Sequence, residues 1–183
     1  MAGRLVYVMG PSGAGKDTLL KHARARLAGS PILFAHRYIT RTPIAGDENF
    51  ISLSEREFEA RLDLFAFHWA AHGNRYGIGI EVERWRERGR TVVISGSREH
   101  FVRDLTGRPD VLPVLVTAPA AILAARLAAR GREDGQVAAL RLWRSNTIET
   151  EHPRLVRIEN TGTPAKAGDR LAAVIAACAT EPV

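Results

Sequence analysis

Apolar residues along the chain fall into short blocks whose internal spacing changes from continuous to alternating to helical. Leu5-Val6-Tyr7-Val8-Met9, Thr91-Val92-Val93-Ile94 and Val111 to Thr117 are uninterrupted and rich in β-branched residues, the pattern of strands buried on both faces of a parallel sheet. Ile32-Leu33-Phe34-Ala35 and Leu155-Val156-Arg157-Ile158-Glu159 are shorter blocks of the same kind. Between them, Leu19, Leu20, Ala23 and Leu27 share one helical face, and Gly29-Ser30-Pro31 stops that helix. Helices are also predicted over Glu81 to Arg88, ending at Gly89, over Ala120 to Arg130, through Arg141 and Arg144, and after Asn160-Thr161-Gly162 to about Ala179. Ser54-Glu55-Arg56-Glu57 reads as a capping box opening a short helix that buries Phe58 and Leu62. Phe65 to Ala70 alternates like a strand, and His72-Gly73-Asn74-Arg75-Tyr76-Gly77 reads as turn-rich. Strands alternating with helices predict an α/β fold with a parallel central sheet.

The first strand runs straight into Gly10-Pro11-Ser12-Gly13-Ala14-Gly15-Lys16-Asp17, followed by Thr18-Leu19-Leu20. Strand, glycine-rich loop and helix form the setting of a phosphate-binding loop. The glycines let successive backbone N–H groups turn toward one anion, and the helix start adds its own unpaired N–H groups. Lys16 then reaches the β- and γ-phosphates of a nucleotide as a point charge. Where this motif carries Ser or Thr after the lysine, the chain has Asp17, with the Thr18 hydroxyl one step later. Two readings of Asp17 follow. It holds a divalent cation beside the phosphates, with Thr18 assisting, or it only complements the helix dipole.

Composition narrows the partner. The 183 residues carry a net charge of +6, and of the 26 basic residues only Lys16, Lys21 and Lys166 are lysines. The arginines are scattered rather than clustered with aromatics, which disfavours nucleic acid and favours a small, multiply phosphorylated substrate. The polar segment His36-Arg37-Tyr38-Ile39-Thr40-Arg41 follows a short strand and has the residue types of an anion pocket. Ser95-Gly96-Ser97-Arg98 lies at the carboxyl end of a buried strand, where open α/β sheets place ligands. A single cysteine, Cys178, excludes an internal disulfide and suits a reducing compartment. With no apolar run of membrane-spanning length and no signal-like N-terminus, a cytoplasmic enzyme without membrane contact is expected, as monomer or homodimer.

Together these segments resemble the guanylate-kinase-like branch of the P-loop nucleoside monophosphate kinases. Within it, Gly-Pro-Ser-Gly-Ala-Gly-Lys-Asp at 10–17, Ala-His-Arg-Tyr-Ile-Thr-Arg at 35–41, Leu-Ser-Glu-Arg-Glu-Phe at 53–58 and Gly-Ser-Arg at 96–98 are similar to the ribose 1,5-bisphosphate phosphokinases. The resemblance implies a three-layer α/β/α P-loop fold in one domain, with a core of 1–34, 91–125 and 146–183. It further implies an acceptor-binding insertion at about 35–90 and an arginine-bearing lid at about 126–145. ATP with Mg²⁺ is implied along residues 10–18, lid cations at Arg130, Arg132 and Arg141, and an adenine-side loop at Asn160 and Thr161. The phosphorylated sugar is implied at His36, Arg37, Arg41, His68, Tyr76, Ser95, Ser97 and Arg98.

Three features depart from guanylate kinases. A base-reading glutamate of their inserted sheet aligns with His68, an Asp-x-Asp element reads Ser95-Gly96-Ser97, and a phosphate-binding serine falls at Arg37. Losing acids that read a base while gaining a cation suits a bisphosphorylated ribose without a base. Two alternatives stay open: a nucleoside monophosphate kinase, and a non-catalytic interaction module of guanylate-kinase-like form.

Overall fold

A computed structural model describes residues 2–42, 49–129 and 150–180. The strands are β1 (Leu5–Met9), β2 (Leu33–Phe34), β3 (Arg37–Ile39), β4 (Phe50–Ser52), β5 (Phe65–Ala71), β6 (Asn74–Gly79), β7 (Val92–Ser95), β8 (Val111–Thr117) and β9 (Val156–Glu159). The helices are α1 (Lys16–Arg26), α2 (Glu55–Glu59), α3 (Glu81–Glu87), α4 (Arg98–Asp104), α5 (Ala120–Ala129) and α6 (Pro164–Thr180).

Five strands form a parallel sheet in the order β2-β7-β1-β8-β9. The continuous apolar runs are its middle strands, and every residue of β1 is fully buried. Their side chains alternate between two cores. Val6, Val8, Val93, Val114 and Val116 meet Leu19 and Ala23 of α1, Leu123 of α5, and Leu171 and Ile175 of α6. Leu5, Tyr7, Met9, Val92, Ile94 and Leu115 face the other way, onto Phe101 of α4, Val82 of α3, and Phe67, Trp69 and Ile78 of the second sheet. Cys178 is buried on the α1 side as a packing residue.

After β2 the chain leaves this sheet and builds a second one, β4-β3-β6-β5, before returning at β7. The alternation read over Phe65 to Ala70 holds from Phe67 onward, but a bulge between Phe65 and Phe67 changes the face. Phe65 therefore joins Leu53 and Phe58 in a small separate core, while Phe67 and Trp69 join the main one. The segment read as turn-rich is only partly so. His72 and Gly73, both at positive φ, make a two-residue hairpin turn, and Asn74 onward is strand β6. The short helix ends at Glu59, leaving Leu62 in a following 3-10 turn. Helix α4 and strands β3 and β4 had no sequence counterpart. The helix through Arg141 and Arg144 lies outside the described residues.

Candidate active site

The phosphate-binding loop leaves the central strand β1 at the carboxyl edge of the sheet, between β7 and β8. Three of its glycines are sterically enforced. Gly13 and Gly15 have φ of 84° and 86°, and at Gly10 a Cβ would strike the Val116 carbonyl. Gly15 ends the loop in the left-handed region, and Lys16 opens α1. The Lys16 ammonium folds back over the loop, donating to Gly10 O at 2.8 Å and Pro11 O at 3.4 Å. It thus stands over the concavity that a polyphosphate would enter.

Two side chains brace the loop from behind. Asn160 at the end of β9 is buried, and its Nδ2 donates to Ala14 O at 2.8 Å. Arg126 of α5 reaches Asn160 O at 3.0 Å and Gly13 O at 3.4 Å. The sequence reading connected Asn160 and Thr161 with an adenine-side loop. In the structure Asn160 Nδ2 donates to the phosphate loop, its buried Oδ1 has no hydrogen-bond partner among the described residues, and Thr161 is exposed. The bracing by Arg126 has no local motif to reveal it, because its partners lie far along the chain on either side, Gly13 113 residues earlier and Asn160 34 residues later.

On the second-sheet side, Arg37 in β3 sends Nη2 to Asp17 Oδ1 at 2.9 Å, joining the second sheet to the first turn of α1. Tyr76 pairs with Ile39 across β3–β6, and its ring stacks on Trp69 at 5.5 Å between centroids. Arg41 lies with its guanidinium 5.0 Å from the Phe50 ring centre, and Ser52 Oγ donates to Arg41 O at 2.5 Å. Arg41 also lines a cavity of about 410 Å³ together with Thr40, Ser52, Ser54, Glu55 and Glu57. His36 and His68 are exposed. Arg130, Arg132 and Arg141 lie outside the described residues.

The third edge of the site is the β7–α4 turn. Alternation along β7 puts Ser95 on the same face as Val93, the α1 side, and its buried Oγ has no hydrogen-bond partner among the described residues. Ser97 is held by a side chain that sequence patterning assigned only to the core. Tyr7 Oη lies 3.0 Å from both Ser97 N and Ser97 O and 2.9 Å from His100 Nδ1. A Cβ at Gly96 would overlap the Tyr7 ring, so glycine is required there. Burial pushes the Tyr7 phenol far up and holds His100 down at about 4, so both are neutral braces at physiological pH. Arg98 opens α4 half-buried, and burial lowers its pKa without discharging a guanidinium.

These groups suit a magnesium-nucleotide. The glycine loop and Lys16 fit a polyphosphate, and Asp17, Thr18 and the Ser95 hydroxyl offer hard oxygens of the kind that would hold Mg²⁺ or its waters. Among the described residues no three His, Cys, Asp or Glu side chains converge. An ion there would share its shell with phosphate oxygens, the usual arrangement for Mg²⁺.

A family model described as an AAA domain matches residues 6–152. The chain is 49% identical over 175 residues to ribose 1,5-bisphosphate phosphokinase PhnN of Desulfomicrobium baculatum, covering 94% of each chain. It is 45% identical to the protein of the same name from Thiobacillus denitrificans, over 92% of this chain and 90% of that one. Among solved structures it is similar to guanylate kinase from Anaplasma phagocytophilum, with a TM-score of 0.68 and 16% identity over 98% of this chain and 88% of that one, a likeness of fold. Identity of this level along almost the whole length of both chains shows that the protein belongs to the ribose 1,5-bisphosphate phosphokinase family.

Proposed function

We propose that the protein transfers the γ-phosphoryl group of ATP to the 1-phosphate of ribose 1,5-bisphosphate, giving 5-phospho-α-D-ribose 1-diphosphate and ADP in the cytoplasm, as a step of phosphonate catabolism. The observation that carries this reading is Arg37. A cation in the second sheet stands 2.9 Å from the first turn of the phosphate-loop helix, where a phosphorylated acceptor must approach the donor. Near-full-length identity to enzymes of that name supports the choice of acceptor. The guanylate kinase likeness, at 16% identity, supports only the scaffold.

The chemistry asks the chain for alignment and charge neutralisation. An oxygen of the acceptor's 1-phosphate is already anionic at neutral pH, so it attacks phosphorus without a general base while the bond to ADP breaks. The loop N–H groups and Lys16 hold the donor phosphates and counter charge spreading over the transferred group. Arg37, with Arg41 and Tyr76, holds the acceptor's phosphates, while Tyr7 and His100 fix the turn carrying Ser97 and Arg98. Mg²⁺ would be held on the chain's side by Asp17 and Thr18 and would supply positive charge that lowers the repulsion felt by an anionic nucleophile. The arginines at 130, 132 and 141 are assigned to the donor side as closing cations. An acceptor screen with Mg-ATP tests the reading: ADP release with ribose 1,5-bisphosphate should exceed that with GMP, dGMP or AMP. Preference for GMP would replace it with a nucleoside monophosphate kinase, and no nucleotide binding would replace it with an interaction module.

A further inference from the structure

An ion pair spans the gap between the donor and acceptor halves of the site. Asp17 belongs to the first turn of α1, Arg37 to β3 of the second sheet, and Arg37 Nη2 donates to Asp17 Oδ1 at 2.9 Å. The partners differ in setting. The Arg37 side chain is 17% exposed and held in a strand, while the Asp17 side chain is 63% exposed on a helix surface.

We propose that this pair is a latch in which the Arg37 guanidinium and Mg²⁺ compete for the Asp17 carboxylate, so that acceptor and Mg-nucleotide each favour the other's binding. The identity of the acceptor rests on the function proposed above; the competition does not. A phosphate dianion reaching Arg37 neutralises the charge that holds Asp17. A Mg²⁺ ion reaching Asp17 removes the anion that holds Arg37. Whichever arrives first bears the cost of weakening the pair, and the second does not, which is positive and reciprocal coupling. The pair is half open to water, so the coupling is modest, about 1.5- to 5-fold. It also gives the aspartate after the loop lysine a role that Ser or Thr there would not have, because a hydroxyl carries no charge for the acceptor-side cation to hold.

The test is a double-mutant cycle by calorimetry on the full chain, with the imido analogue of ATP as a donor that cannot transfer. The quantity read is the ratio of analogue affinity with Mg²⁺ to that without. In acceptor-free protein, Arg37→Gln should raise this ratio about 1.5- to 5-fold, because the guanidinium no longer competes with the metal for Asp17. In the Asp17→Asn background the same Arg37→Gln change should leave the ratio unaltered. An equal rise in both backgrounds would mean general Coulomb repulsion, and no rise in either would mean no competition; both overturn the latch. With saturating ribose 1,5-bisphosphate, wild type should bind the Mg-analogue more tightly by a similar factor, and the Asp17→Asn variant should not. Binding of the sugar without that tightening also overturns it. Absence of any sugar binding refutes the acceptor assignment instead, and the acceptor-free cycle then decides the latch alone.

Discussion

At the residue scale, the site depends on side chains whose work is to hold backbone. Asn160 is the clearest, with its buried amide on the Ala14 carbonyl inside the phosphate loop. Replacing it by alanine leaves that carbonyl, among the described residues, with only the long Arg126 contact at 3.5 Å. Losing a buried partner costs about 1–3 kcal/mol, so Asn160→Ala should lower the denaturant midpoint and weaken Mg-ATP analogue binding together. Unchanged values for both would show that the loop keeps its shape without the clamp. The sequence showed Asn160 only through a family resemblance, since nothing near it in the chain signals a partner at residue 14. Lys16 and the loop glycines were legible for the opposite reason: their geometry is satisfied within eight consecutive residues.

At the element scale, local signals survived folding where the partners were local. Ser54 and Glu57 form both halves of the capping box, Glu57 N donating to Ser54 Oγ at 3.2 Å and Ser54 N to Glu57 Oε2 at 2.7 Å. The Ser54 backbone N–H and then the Ser54 hydroxyl, which donates to Glu57 Oε2 at 2.7 Å, hold the Glu57 carboxyl below its ordinary pKa. Ser54→Ala should cost about 1 kcal/mol and speed hydrogen exchange at the Glu57 amide, with Ser54→Asp restoring most of the loss. Unaltered exchange in the alanine variant would show the box to be incidental. Strands β3 and β4 escaped the sequence reading because each is three residues long and joined by pairing between Arg37–Ile39 and Phe50–Ser52, a register no local pattern encodes. The bulge that separates Phe65 from Phe67 was hidden for the same reason, since the residues themselves alternate without a break.

At the scale of the whole molecule, two sheets share one core through a cluster around Tyr7, Trp69 and His100. The His100 ring lies 6.0 Å from Tyr7 and 5.2 Å from Trp69, between the central strand and the second sheet. Burial keeps it neutral down to about pH 4, whereas in the unfolded chain it takes a proton near pH 6.5. Between those values the unfolded state binds more protons, so stability falls as pH drops from about 6.5 to about 4. His152, also lowered by burial, adds in the same direction. At the far edge of the sheet Asp110, hydrogen-bonded by Arg108 and paired with buried Arg86, is held at about 2, so its contribution is lost only below about pH 4. Thermal melts from pH 8 to 4 should therefore slope down in wild type and more gently in a His100→Gln variant. Parallel slopes would remove His100 as the acid-sensitive link.

The layered α/β order was readable at this scale because the continuous apolar runs could only be buried parallel strands. The mutual placement of the phosphate loop and the second sheet was not, since it rests on the Asp17–Arg37 pair and the Tyr7 contacts, which join distant parts of the chain. The most direct measurement of the central claim is phosphorus NMR of the purified protein with Mg-ATP and ribose 1,5-bisphosphate. The 1-phosphate monoester signal should be replaced by a pair of coupled diphosphate signals as ADP accumulates, with the 5-phosphate signal persisting. ADP appearing while the 1-phosphate signal stays unchanged would contradict it.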